Sequence, residues 1–133
     1  MSEPAKIHVM RSQLGRVRGL GAARSGTQHW RAERLTAVAL VPLTLWFVYA
    51  ALHLMGLPRA AAAQWAANPI NAALLAALVI STFHHGALGL QVVIEDYIHV
   101  ERTRLGLLLL VKGAAALLAL IGLFAVLKLA FTG

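Results

Sequence analysis

Three long apolar runs, separated by two short polar breaks, dominate the chain after a polar beginning. They extend from Leu35 to Leu57, from Ile70 to Ile94 and from Leu105 to Phe131. Each exceeds the roughly 20 residues a helix needs to cross the hydrocarbon of a bilayer. A helix satisfies its own backbone polar groups there, which an irregular segment does not. The pattern therefore predicts an all-α membrane protein with three transmembrane helices. Pro58 ends the first span, and Pro42 inside it is a kink that neighbouring helices absorb. Gly56 to Pro69 reads as a short connection, with Trp65 as an interfacial anchor and Arg59 as its only basic residue. Glu95 to Arg104 reads as a second loop. Two units result: a basic amino-terminal segment, 1–34, and a transmembrane domain, 35–133. Within the first, Thr27 to Arg34 is the part expected to be ordered, with Thr27 as a helix cap and Trp30 at the membrane interface.

Composition supports the membrane class. Apolar residues make up 59% of the 133 residues and charged residues 13%, half the usual share in a soluble domain. So small a soluble protein has no core large enough to hide that much apolar surface. Cysteine is absent, which removes disulfides, thiolate catalysis and cysteine-held metals or clusters from this chain. The net charge of +7 does not indicate nucleic acid, because seven of the twelve Lys and Arg fall within the first 34 residues. A basic segment beside an anionic membrane surface accounts for it.

That distribution also orients the chain. Seven basic residues precede the first span, one lies in the first loop, two lie in the second, and none follows Lys128. Basic flanks stay on the cytoplasmic side, so the amino terminus and the second loop are expected there (or in an equivalent matrix), and the carboxy terminus outside.

The chemistry concentrates between Ser81 and His99, STFHHGALGLQVVIEDYIH. Ionisable groups at membrane depth are costly and face a protein interior by default. A helix turns about 100° per residue, so His84 and His85 point in different directions, whereas His85 and Asp96 share a face. One reading makes a histidine a packing residue, hydrogen-bonded to a neighbouring helix. The other makes it an axial ligand to haem iron, with the second ligand supplied by another chain. Gly86 and Gly89 leave bare backbone beside it, which suits either a flat macrocycle or a closely packed helix. Asp96 and Tyr97 read as interfacial residues or as a quinone site, in which the phenol donates to a quinone carbonyl and the carboxylate orients it or relays protons. His99 either joins that relay or lies in solvent. Arg34, five residues after His29, is either a positive anchor or the partner of an anionic group such as a haem propionate. Lys112 and Lys128 are close enough to the ends of the third span to snorkel outward. His8 and His53 carry no assignment.

The spacing H-x3-G-x6-D-Y at the end of the second of three spans, here His85, Gly89, Asp96 and Tyr97, resembles the small cytochrome b-type membrane anchor of succinate:quinone oxidoreductase, respiratory complex II. A second block, G-T-Q-H-W followed by R-L-T-A (Gly26 to Trp30 and Arg34 to Ala37), agrees with it. The resemblance covers about residues 20 to 133. It implies that the three helices are half of a heterodimeric anchor bundle in a bacterial inner membrane or its mitochondrial equivalent. The implied partners are a flavoprotein that oxidises succinate, an iron–sulfur subunit, a second cytochrome b anchor, and membrane lipid. The implied cofactor is haem b and the implied substrate ubiquinone. Carried over by position, His85 becomes the axial ligand to the haem iron and Arg34 the residue near the propionates. Tyr97 becomes the quinone contact, with Asp96 beside it. The adjacent His84 is the one departure, and the register to Gly89 and Asp96 favours His85. The chain is then expected to serve the enzyme as an anchor without chemistry of its own. Three alternatives stay open: the anchor of a fumarate reductase or other haem b quinone protein, a small structural protein without haem, and a proton carrier using His84, His85 and Asp96.

Overall fold

The structure is a computed structural model that describes residues 12–19 and 26–132. His8 lies outside the described residues, as does much of the basic amino-terminal segment. Among the described residues there is no strand; the elements are α1 (Gln13–Val17), α2 (Gly26–Leu54), α3 (Arg59–Ala67), α4 (Pro69–Tyr97) and α5 (Glu101–Thr132). Three of them, α2, α4 and α5, are long and apolar enough to cross a membrane. The chain is a multi-pass membrane protein.

The helices reach beyond the apolar runs that mark them. α2 already begins at Gly26, because Thr27 to Arg34 contains no proline or internal glycine to interrupt it. The backbone turn therefore carries on through residues that hydropathy excludes from the span. Pro42 is accommodated inside the helix. At the far end the Leu57 N–H donates to the Leu54 carbonyl at 3.1 Å, and Gly56 adopts φ 82°. Only glycine takes that left-handed conformation without steric cost, so it closes the turn after α2.

The connection from Gly56 to Pro69 holds an additional helix, α3, of nine residues. Its sequence, RAAAAQWAA, is built largely from the best helix-forming residue. Trp65 of α3 stacks on Trp46 of α2, with ring centroids 5.5 Å apart and 26° between planes. Ala63 and Ala66 are buried beside it. Asn68 then caps α4, its Oδ1 accepting from the Ile70 N–H at 2.9 Å, with Pro69 in the first turn. Asn71 Nδ2 donates to the Trp65 carbonyl at 2.8 Å and ties the α3–α4 corner.

The second loop is shorter than the polar cluster implies. α4 runs through Glu95 and Asp96 to Tyr97, and Glu101 opens α5, leaving only 98–100 between them. An acidic residue in a first turn complements the helix dipole. α4 is central: it packs against α2 on one side and α5 on the other, while α3 touches α4 and α5. α4 and α5 approach closely at Gly122, where an added Cβ would lie 2.8 Å from Val79 Cγ1. A small residue there lets the two backbones come together, as membrane helices favour. Among the described residues only Ala50, Ala63 and Ala66 are buried. The remaining apolar surface faces lipid or another protein.

Candidate functional site

The two adjacent histidines of α4 serve different faces. His85 is half-buried and turned to α2, where its Nδ1 lies 3.0 Å from Thr36 Oγ1. His84 is exposed and turned away from that contact. It lines a cleft of about 580 Å³ between the beginning of α2 and the facing sides of α4 and α5. Gln28 and His29 of α2, Gln91 of α4, and Lys112 of α5 border the same cleft. The divergence expected from 100° per residue is thus realised. Lys112 thus lines the same cleft as His29, His84, Gln28 and Gln91.

Thr36 holds more than one partner. Its Oγ1 donates within its own helix, 2.8 Å from the Ala32 carbonyl and 3.0 Å from that of Glu33. This back-bonding is common for threonine in helices. Sequence inspection passed over Thr36, although it falls in the R-L-T-A block, because a single threonine in an apolar run carries no signal until its cross-helix neighbour is known. The same holds for Gln28 and Gln91.

Beside His85 the backbone is bare. A Cβ added at Gly86 or Gly89 meets nothing within 4 Å. Among the described residues nothing stands against a side chain there, and the space next to them is open to an outside group. Among the described residues, no three His, Asp or Glu side chains converge as a metal-binding group. The donor set around His85 is one imidazole, which suits a metal that arrives with its own equatorial ligands and not a bare ion held by protein alone.

Tyr97 and Asp96 lie at the end of α4, both exposed, with Tyr97 77% accessible. His85 is twelve residues away, roughly 18 Å along the helix. The structure therefore keeps the histidine and the phenol on one element at different depths. It does not bring them together. Gln91 Nε2 donates to Glu95 Oε1 at 2.8 Å and stiffens the turn just before them. Arg34 is exposed, and its guanidinium carbon sits 5.5 Å from the Trp30 ring centroid, a cation–π arrangement. Two residues before Thr36, it points about 200° around α2 from the side facing His85. His53 is occupied locally, its Nδ1 3.0 Å from the Tyr49 carbonyl.

Comparison with known proteins agrees with this architecture. Residues 8–127 match a family described as succinate dehydrogenase/fumarate reductase transmembrane subunit. The chain is 36% identical over 102 residues to a succinate dehydrogenase hydrophobic membrane anchor subunit from Rickettsia bellii (strain RML369-C), covering 77% of this chain and 82% of that protein. A protein of the same description from Rickettsia conorii (strain ATCC VR-613 / Malish 7) is 28% identical over 107 residues, 80% and 85% of the two chains. One from Paracoccus denitrificans is 35% identical over 79 residues, 59% and 61%. No solved structure gives a significant match.

Proposed function

This chain belongs to the succinate dehydrogenase/fumarate reductase transmembrane subunit family, and from that premise we propose that it anchors a succinate:quinone oxidoreductase, helps to bind haem b and forms part of the quinone-reduction site. The names of its relatives favour the succinate enzyme over a fumarate reductase. The partners are a flavoprotein, an iron–sulfur subunit and a second cytochrome b anchor. The observation that carries the reading is the lone imidazole of His85, fixed from α2 and flanked by the bare backbone of Gly86 and Gly89.

In this reading His85 would hold the haem iron together with a histidine of the other anchor. Haem, when bound, supplies a one-electron redox centre inside the bilayer. Arg34 lies within a turn of Thr36 along α2. It points to a different side of α2 from Thr36, so pairing with a propionate, for which its planar fork of donors is suited, requires it to swing off the Trp30 ring. Tyr97 stands where α4 leaves the membrane and donates its phenolic hydrogen to a quinone carbonyl. Such a donor, already in place, acts most strongly on the negative charge that develops on that oxygen during reduction. Asp96, next to it, orients the phenol or passes on a proton. The excess of basic residues in the amino-terminal segment supports a cytoplasmic position for this end of α4.

A mild-detergent purification through a tag on this chain tests the assignment. A flavoprotein, an iron–sulfur protein, a second small membrane protein and haem with a two-histidine spectrum are expected together. Recovery of the chain alone, without haem, would refute it; proton flux in that preparation would favour a carrier.

A further inference from the structure

We infer that Thr36 is a positioning residue for His85: its hydroxyl selects the tautomer in which Nδ1 carries the hydrogen and Nε2 keeps its lone pair for a metal. The inference rests on the haem reading given above. It begins with a count of hydrogens. A threonine hydroxyl has one hydrogen and two lone pairs. Thr36 Oγ1 lies 2.8 Å from the Ala32 carbonyl and 3.0 Å from the Glu33 carbonyl, two groups that only accept. If the hydrogen pointed at His85, the oxygen would present lone pairs to two carbonyl oxygens at contact distance, which is repulsive. With the hydrogen directed to the carbonyls, all three contacts are satisfied, and the 3.0 Å bond to His85 runs from Nδ1–H to Oγ1.

Two consequences follow for the ring. A neutral imidazole has one donor nitrogen and one acceptor nitrogen, so donation from Nδ1 leaves Nε2 as the basic nitrogen on the other edge. The bond also fixes the ring plane, because Thr36 is itself held to its own helix and sits half-buried between α2 and α4. An outer hydrogen bond of this type raises the basicity of a ligating histidine, and its loss typically lowers metal affinity about 10- to 100-fold. A more basic ligand favours ferric over ferrous iron, so the same bond lowers the haem's reduction potential. His84, on the cleft side, has no such partner among the bonds the structure describes.

The test uses the purified complex carrying Thr36→Val, Thr36→Ser or His85→Ala. Valine keeps the branched shape and removes the hydroxyl, whereas serine keeps the hydroxyl and removes the methyl group. Thr36→Val is expected to weaken haem retention by about tenfold and to move the haem midpoint potential upward, while Thr36→Ser stays near the parent in both. 15N-histidine spectra of the parent complex depleted of haem are expected to show His85 protonated at Nδ1, in a state where no iron on Nε2 imposes that form. This readout needs no variant, and it decides the matter if Thr36→Val fails to assemble. A Thr36→Val complex matching the parent in retention and potential overturns the inference and leaves the haem reading standing. So does a Thr36→Ser complex as disturbed as Thr36→Val, or an Nε2-protonated His85 in the haem-depleted complex. An unaltered haem spectrum in His85→Ala overturns the haem reading and this inference with it.

Discussion

Thr36 and His85 are 49 residues apart in the chain and 3.0 Å apart in space. This bond joins α2 to α4 and decides which of two neighbouring imidazoles is held. The helical turn sets His85 and His84 on different sides, His84 on the cleft shared with α5, and the bond to Thr36 holds the first. His85→Ala is therefore expected to abolish or severely alter the haem b spectrum of the purified complex, with His84→Ala largely preserving it. The reverse result would move the ligand by one residue, onto the helix face that borders Lys112.

At Tyr97, replacement by Phe keeps the ring and removes the hydroxyl. An interfacial anchor tolerates that change. A donor to quinone does not, so the succinate-to-quinone rate should fall about tenfold or more, equivalent to ~1.4 kcal/mol. Electron transfer from succinate to a soluble artificial acceptor should persist. The ratio of the two activities is the measurement, and Asp96→Asn should lower it as well. An unchanged ratio in Tyr97→Phe places the quinone elsewhere.

Topology is testable without any cofactor. A reporter placed in the short connection 98–100 should read as cytoplasmic, and one fused after Gly133 as external. The motive is the excess of basic residues before α2 over those in the α2–α4 connection. A cytoplasmic carboxy terminus would put Tyr97 on the wrong side for reduction by soluble partners.

Packing between α4 and α5 gives a fourth prediction. An added methyl at Gly122 would meet Val79 Cγ1 at 2.8 Å, and the stiff branched valine has few rotamers into which to retreat. Gly122→Ala should cost about 1–3 kcal/mol, as overpacking does. Loss of assembled complex on heating in detergent is the readout. Val79→Ala in the same chain should restore much of the loss, because it removes the atom that is struck.

Hydropathy made three spans legible, since 18-residue apolar windows are rare outside membranes. It could not place their ends. Thr27 to Arg34 and Glu95 to Tyr97 are too polar to count as membrane, yet they have no reason to leave the helix, and α2 and α4 run through them. The helix α3 was missed because nine alanine-rich residues are too few to span, and the connection was read by its length alone. Its signals were present: Pro58 ahead of it and a run of strong helix formers. At the site, the opposite outlook of His84 and His85 followed from helical geometry. Thr36 did not, because a bond between helices depends on their relative rotation and height, which one sequence does not encode in any local pattern. Arg34 was singled out by charge, yet the residue two positions on makes the contact to His85.

The scarcity of interior has a genetic consequence. Only three alanines are buried among the described residues, so much of each long helix presents side chains outward from this chain. Gly86 and Gly89, with open space around them, accept a larger side chain in the isolated chain at no steric cost. Their defects would surface only where another molecule comes against them. Suppressors of such defects are therefore expected in the neighbouring chain, at the surface that meets these glycines.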